Sequence, residues 1–301
     1  MRARIVLVGP GAIGCVAAAA LLESGHDVLV CARTAFERIV LRSGDAEIAR
    51  VPARVVTRAA EATPAEWVLV CTKAHQTESA ADWLRAAVGD VTRVAVLQNG
   101  VEQRENVAPF VPTGTTIVPV VVRAPTRRTA PGVVTSEESA ALTAPDDDAG
   151  RAFASLFHGS RVSATVTSDF VTEAWSKLCL NAANGAIMAL TERNLDVMRE
   201  PKIAELARAL VRECVAVGRA EGANLDDGLA DDLVAKMASS SHAETRGNSM
   251  YYDRIDGRPM EWDARNGVIA RLGARHGIPT PISSTLAALL SAIRRRPRRA
   301  T

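Results

Sequence analysis

Three polar side chains fall on one stripe of an otherwise apolar segment. Within residues 173–190, EAWSKLCLNAANGAIMAL, Lys177, Asn181 and Asn184 stand at i, i+4 and i+7, a spacing that aligns them on one helix face. Trp175, Leu178, Cys179, Ala182, Ala183, Ile187 and Leu190 surround them, an apolar arc too broad for a surface helix. A lysine and two amides in a buried helix are costly unless something polar faces them. A solvent-facing strip on a packed helix would show the same spacing. The alternative is a cleft with a small polar ligand opposite the stripe. A lysine is a cation at neutral pH, with an ordinary pKa of about 10.4, so Lys177 calls for such a polar partner.

A second group of residues suits an anion. Gly9-Pro10-Gly11-Ala12-Ile13-Gly14 fits G-x-G-x-x-G, preceded by the apolar run 4–8, RIVLV, and followed by a small-residue helical stretch at 15–22. A strand at 26–32, HDVLVCA, comes next. This strand–glycines–helix–strand context gives the motif its weight. Gly9 permits a tight turn, Gly11 a close approach of pyrophosphate, and Gly14 close packing of helix on sheet. The helix N-terminus offers free N–H groups and a positive dipole end to the phosphates. A dinucleotide is therefore the expected ligand.

The strand ends supply further candidates, because an α/β sheet places its ligands at the C-terminal ends of parallel strands. After the second strand, where an NAD site would carry an acidic residue, stands Arg33, about 20 residues past the glycines. Its guanidinium suits a 2′-phosphate, so NADP(H) is the favoured cofactor; Glu37, one turn on, leaves some use of NAD open. Strand 67–72, WVLVCT, ends at Lys73, a candidate phosphate or substrate contact. Strand 91–97, VTRVAVL, ends at Gln98-Asn99-Gly100. Asn-Gly is a turn signal, and in that place Asn99 could also face the nicotinamide and substrate.

Between these points, residues 41–56 read as a hairpin turning at 43–45, 114–123 and 132–136 as strands, 144–150 as a solvated acidic loop, 151–157 as a short helix and 161–167 as a last strand. Beyond 168 the pattern is helical: 173–190, 202–221, 229–239, 260–276 and 283–294. The expected fold is α/β: a Rossmann-type dinucleotide-binding domain over residues 1–167, followed by an all-helical substrate and catalytic domain over 168–301, with a cleft between them.

Composition narrows the function classes. The chain has 301 residues, 48% hydrophobic and 23% charged, with a net charge of +2; this is ordinary for a globular protein and too balanced for a nucleic-acid binder. The basic run 294–299, RRRPRR, reads as a frayed tail. No apolar run reaches bilayer-spanning length, and no signal-peptide pattern opens the chain. The five cysteines form no CxxC pair and suit reduced, buried thiols in the cytoplasm. The five scattered histidines suggest no metal site.

The chain resembles the ketopantoate reductases (2-dehydropantoate 2-reductases) over nearly its whole length. The matching pieces are GPGAIG at 9–14, AR at 32–33, TKAHQ at 72–76, QNG at 98–100, EAWSKLCLN at 173–181, SMYYDRIDGRPMEWDARNG at 249–267 and ARHGIPTP at 274–281. The resemblance implies NADPH-dependent reduction of a 2-oxo acid, with 2-dehydropantoate to pantoate, a step of pantothenate biosynthesis, as the first expectation. It implies that Lys177 is the general acid, and that Asn181 and Ser249 hold the substrate. It places Asn99 near nicotinamide and substrate, Lys73 and Arg33 at the cofactor, and Glu261 as a cofactor contact or a support for the site. A homodimer is an open expectation.

Two departures bear on the substrate. The family's second asparagine, four residues after the first, is replaced by Gly185, with Asn184 one place earlier; one residue turns a side chain by about 100° on a helix. An asparagine three residues before the serine is replaced by Arg246, with Asn248 adjacent to the serine. Asn184 is retained as a substrate-binding candidate. Two rivals remain. A β-hydroxyacid dehydrogenase also carries Lys-x-x-x-Asn on a helix, but with glycines before the lysine, whereas here the approach is SDFVTEAWSK. A cofactor-binding sensor would have no use for the proton donor.

Overall fold

The computed structural model describes residues 2–136 and 139–293; the basic run at 294–299 lies outside the described residues. The chain divides into two compact units, Met1–Phe170 and Val171–Thr301.

The first unit starts with β1 (Arg4–Val8), α1 (Ala12–Glu23) and β2 (Asp27–Cys31), then β3 (Arg38–Ser43), β4 (Ala46–Pro52) and β5 (Arg54–Val56). β6 (Trp67–Val70), α2 (Ala81–Ala87), β7 (Arg93–Val96), α3 (Gln103–Val107) and β8 (Thr116–Pro119) follow. Six of these strands make one sheet in the order β5-β2-β1-β6-β7-β8, every pair parallel. Both faces of this sheet are covered. Ile5 and Leu7 of β1 join the core that contains α1, while Val6 and Val8 join the opposite core with Leu84 of α2. Burial on both faces is why these strands are unbroken apolar runs rather than alternating ones. The strand order, reversing direction on either side of β1, is that of a Rossmann-type domain.

Two smaller sheets complete the unit, using β9 (Val121–Arg123), β10 (Thr126–Ala130), β11 (Val133–Ser136), β12 (Ala141–Pro145) and β13 (Ser163–Thr167), with α4 (Asp148–Ser155) before the last strand. Their orders are β10-β11-β3-β4 and β13-β12-β9. Two sequence expectations are corrected here. The single strand expected over 114–123 is two: β8 stays in the parallel sheet, whereas β9 pairs antiparallel with β12. Pro119 has no N–H to extend the ladder at the break. The acidic loop expected over 144–150 is the end of β12 and the start of α4. Asp147 is the N-cap, its carboxylate accepting from Gly150 N at 2.7 Å, which is an acidic residue's usual place at a helix start.

The second unit is helical, with no strand among its described residues. It consists of α5 (Phe170–Thr191), α6 (Pro201–Ala220), α7 (Leu229–Ala238), α8 (Ser249–Ile255), α9 (Val268–His276) and α10 (Pro281–Ala292), with a π-helical turn at Asp263–Gly267 leading into α9. α5 is apolar on most of its circumference because neighbours cover most of it. Gly218 of α6 lets the two helices approach: a Cβ there would stand 2.9 Å from the Trp175 ring. Glu213 of α6 accepts from Ile282 N and Ser283 N at the start of α10, both at 2.8 Å, satisfying donors that the helix itself leaves open. The helix expected over 260–276 begins only at 263, and its first turn is the π-helical one.

Candidate active site

In the first unit the parallel register brings the C-terminal ends of β1, β2, β6 and β7 to one sheet edge. Gly9 ends β1 with φ +92°, and a Cβ there would lie 2.8 Å from Thr72 N. A Cβ on Gly14 would lie 2.4 Å from the Gly9 carbonyl oxygen and 3.1 Å from Cys71 Cβ. Turn geometry and close packing therefore fix glycine at both positions. Gly11 differs: its φ of −73° suits any residue, and a Cβ would meet nothing within 4 Å. Nothing in the protein's own packing requires glycine there, whereas a ligand approaching the backbone from outside would. No side chain caps the first-turn N–H groups of α1, which lie at the positive end of the helix dipole. Pro10 is buried, and Ala12 and Ile13 are half-buried at this turn.

Arg33 is exposed two residues beyond β2, with Glu37 exposed nearby in the chain. Lys73 and Asn99, both half-buried, stand in loops that a buried amide network holds. Gln98 Nε2 donates to Thr72 Oγ1 at 2.9 Å and to Thr77 Oγ1 at 3.0 Å. Gln103 Nε2 donates to the carbonyls of Gln98 at 3.0 Å and Val120 at 3.1 Å. Gly100, at φ +105°, makes the turn after Asn99. Sequence reading named Lys73 and Asn99 but missed Gln98, Thr77 and Gln103, which tie their loops together. Their signal was polar side chains flanking apolar strand ends.

In the second unit Lys177, Asn181 and Asn184 are half-buried on α5, on a stripe with the half-buried Ser176 and Leu180, while Trp175, Leu178, Cys179, Ala182 and Ala183 are buried. Ser249 opens α8 and is exposed. Asn248 caps that helix, its Oδ1 accepting from Tyr251 N at 3.0 Å. Its Nδ2 donates to the Asn184 carbonyl at 3.0 Å, which fastens the serine's helix to α5. Asn184 thus stands beside Asn248, one residue away from Gly185. Glu261 is buried.

The residue that sequence reading did not single out is Arg265. It is 2% exposed and lies in the π-helical turn, a backbone form often found at functional sites. Its Nη2 donates to Ser249 Oγ at 2.7 Å. A Cβ on Gly185 would lie 2.9 Å from its Nη1. Its Nε and Nη1 have no hydrogen-bond partner among the described residues. Burial pushes the guanidinium below its ordinary pKa, and the charges of Glu261 and Asp253 oppose that shift. The neighbouring Asn266, fully buried, donates to the Ala182 carbonyl at 3.3 Å. A signal was present in the sequence: Arg265 precedes Val268, Ile269 and Leu272 by three, four and seven residues, so a charged residue occupied the buried stripe of a helix.

Known proteins share this arrangement from end to end. Residues 5–148 match the family pattern described as ketopantoate reductase PanE/ApbA, and residues 169–294 match its C-terminal counterpart. A 2-dehydropantoate 2-reductase of Caulobacter vibrioides is 45% identical over 291 residues, covering 96% of this chain and 98% of that one. A crystal structure of 2-dehydropantoate 2-reductase from Geobacter metallireducens superposes with a TM-score of 0.86 at 26% identity, covering 96% of this chain and 99% of that one. A dimeric ketopantoate reductase from Staphylococcus aureus gives 0.85 at 25% identity, covering 96% and 98%. Two family patterns that together span nearly the whole sequence, and a relative at 45% identity, place this chain in the ketopantoate reductase family.

Proposed function

We propose that the protein is an NADPH-dependent reductase that delivers hydride to the keto carbon of a 2-oxo acid, with 2-dehydropantoate as the first candidate substrate and pantoate as its product. The observation that carries the reading is the half-buried stripe of Lys177 and Asn181 on α5, in the same unit as the exposed Ser249 hydroxyl. In this reading residues 1–167 hold the cofactor and residues 168–301 supply the acid and the substrate contacts.

The residues present fit a dinucleotide: Gly11 leaves its outer side open and α1 keeps its first N–H groups uncapped. Gly9, Pro10, Gly11, Ala12, Ile13 and Gly14 would cradle the pyrophosphate. Arg33 would hold the 2′-phosphate that distinguishes NADP(H), and Lys73 and Asn99 would line the same sheet edge. When bound, the nicotinamide supplies the hydride. As the carbonyl oxygen gains charge, the Lys177 ammonium stabilises it and gives it a proton from Nζ. Asn181 and Ser249 hold the substrate by hydrogen bonds. Asn184 is assigned to the rim of that pocket, and Glu261 to support of the charged groups.

The test is NADPH oxidation against a panel of 2-oxo acids, with Lys177→Ala alongside. General acid catalysis typically contributes about 10²–10⁴-fold, so the variant should lose roughly 3–5 kcal/mol of barrier lowering, at about 1.36 kcal/mol per decade, while binding NADPH normally. Full turnover by Lys177→Ala would sink the assignment. No helix of the described residues is long and apolar enough to cross a membrane. The five free, buried thiols support a cytoplasmic location. A homodimer is part of the proposal, by analogy with the Staphylococcus aureus relative, and sedimentation of the purified chain tests it.

A further inference from the structure

Arg265 is expensive where it lies. A guanidinium taken out of water with two nitrogens unpaired costs more than an apolar residue of similar size would. Its neighbourhood is nonetheless arranged for it. Gly185 presents no side chain, and a Cβ there would come within 2.9 Å of Nη1 and 3.2 Å of Met250 Sδ. Glu261 and Asp253, both buried, balance its charge. Asp253 is itself held by Arg258 Nε at 3.1 Å.

The hydrogen bond from Arg265 to Ser249 has a direction. Guanidinium nitrogens only donate, so the Ser249 oxygen must be the acceptor of the 2.7 Å contact. The serine's own proton is then turned away from Arg265, and Ser249 is exposed while Arg265 is not. A hydroxyl fixed in this way offers a donor outward, backed by a buried positive charge. Such a point favours an anionic or strongly polar acceptor.

We infer that Arg265 is a positioning residue for substrate recognition: it takes the space left by Gly185 and sets Ser249 Oγ–H as a donor to the carboxylate of the 2-oxo acid. The inference rests on the reductase reading above and adds to it the group that discriminates an acid from an uncharged analogue.

The experiment compares kcat and KM for 2-dehydropantoate with those for its uncharged amide in the full-length protein. Hydrogen bonds to charged groups are worth enough that Arg265→Leu should raise KM for the acid about 10–100-fold. It should leave kcat within about threefold and NADPH affinity unchanged, and leave the amide nearly unaffected, so that the preference for the acid collapses. Ser249→Ala should collapse the same preference, and the double variant should be no worse than the poorer single one, because both act through one hydroxyl. Arg265→Lys should keep part of the preference. Should Arg265→Leu fail to fold, Gly185→Asn replaces it: the new side chain displaces the guanidinium and should give the same collapse. A folded Arg265→Leu, or a Gly185→Asn standing in for it, with wild-type preference for the acid would overturn the inference, as would losses in the double variant that multiply. A wild type that reduces no 2-oxo acid would overturn the activity reading and this inference with it.

Discussion

Alanine substitutions at Gly11 and Gly14 should separate the two tasks of the glycine loop. At Gly14 the added Cβ would stand 2.4 Å from the Gly9 carbonyl oxygen and 3.1 Å from Cys71 Cβ. The first obstacle is backbone at the end of β1, so α1 must move away from the sheet. Overpacking of this kind costs about 1–3 kcal/mol. For a unit of this size each kcal/mol shifts the melting temperature by about 2–4 °C, so Gly14→Ala should lower it by roughly 2–12 °C, with the value nearer the upper end because no flexible side chain can yield. The dinucleotide site, built on the displaced turn, should weaken as well. At Gly11 the Cβ meets nothing within 4 Å and φ is −73°. Alanine is a poorer N-cap than glycine by about 0.5–1 kcal/mol, roughly offset by the entropy it removes from the unfolded chain, so Gly11→Ala should melt within about 2 °C of wild type. Its methyl group nevertheless projects into the space a pyrophosphate would use, and NADPH affinity should fall at least tenfold. Thermal unfolding and fluorescence titration with NADPH measure the two quantities. Wild-type NADPH affinity in Gly11→Ala would refute the placement of the phosphates at this turn. A wild-type melting temperature in Gly14→Ala would refute the packing argument.

Arg33→Ala should weaken NADPH about 10–100-fold, the range for a charge-assisted bond, and change NADH little; equal losses for both cofactors would remove Arg33 from the 2′-phosphate. Burial pushes the Cys15 and Cys31 thiols up to about 12 from 9.0. A group whose folded pKa is raised contributes stability that is whole below its unfolded pKa and is lost as pH rises through the folded one. The melting temperature should therefore fall progressively between about pH 9 and 12, less steeply in Cys15→Ala/Cys31→Ala, and an identical pH profile in that variant would refute the assignment.

The parallel sheet was legible in the sequence because burial on both faces leaves a simple mark. Residues 4–8, 67–70 and 93–96 are apolar nearly throughout, and the glycines between the first strand and α1 fix the local turn. The smaller sheets were less legible. β10, TRRTA, is exposed along most of its length, so no alternation of apolar residues announces it; its partner β11 places it. The acidic residues 146–148 looked like a loop because charge alone does not distinguish a solvated turn from a helix cap. That distinction depends on whether an N–H three residues on is there to receive the carboxylate.

The helical half shows why a motif read along one chain segment underdetermines a site. Read on α5 alone, Gly185 interrupts the polar stripe, and Asn184 is the candidate that the stripe offers in its place. Folding adds a neighbour distant in sequence. The π-helical turn aims Arg265 at the place that Gly185 leaves open, while Asn248 takes the Asn184 carbonyl for anchoring α8. The guanidinium thus fills space beside Gly185 from across the packing interface, 80 positions along the chain. A single sequence records such an exchange as two unrelated oddities, a glycine inside a helix and an arginine on an apolar stripe. Each costs stability by itself, and each is accounted for only by the other, since a Cβ at Gly185 would stand 2.9 Å from Arg265 Nη1. Variants at Gly185 and Arg265 should therefore be strongly non-additive, and the pair should be altered together when the substrate range of this protein is changed.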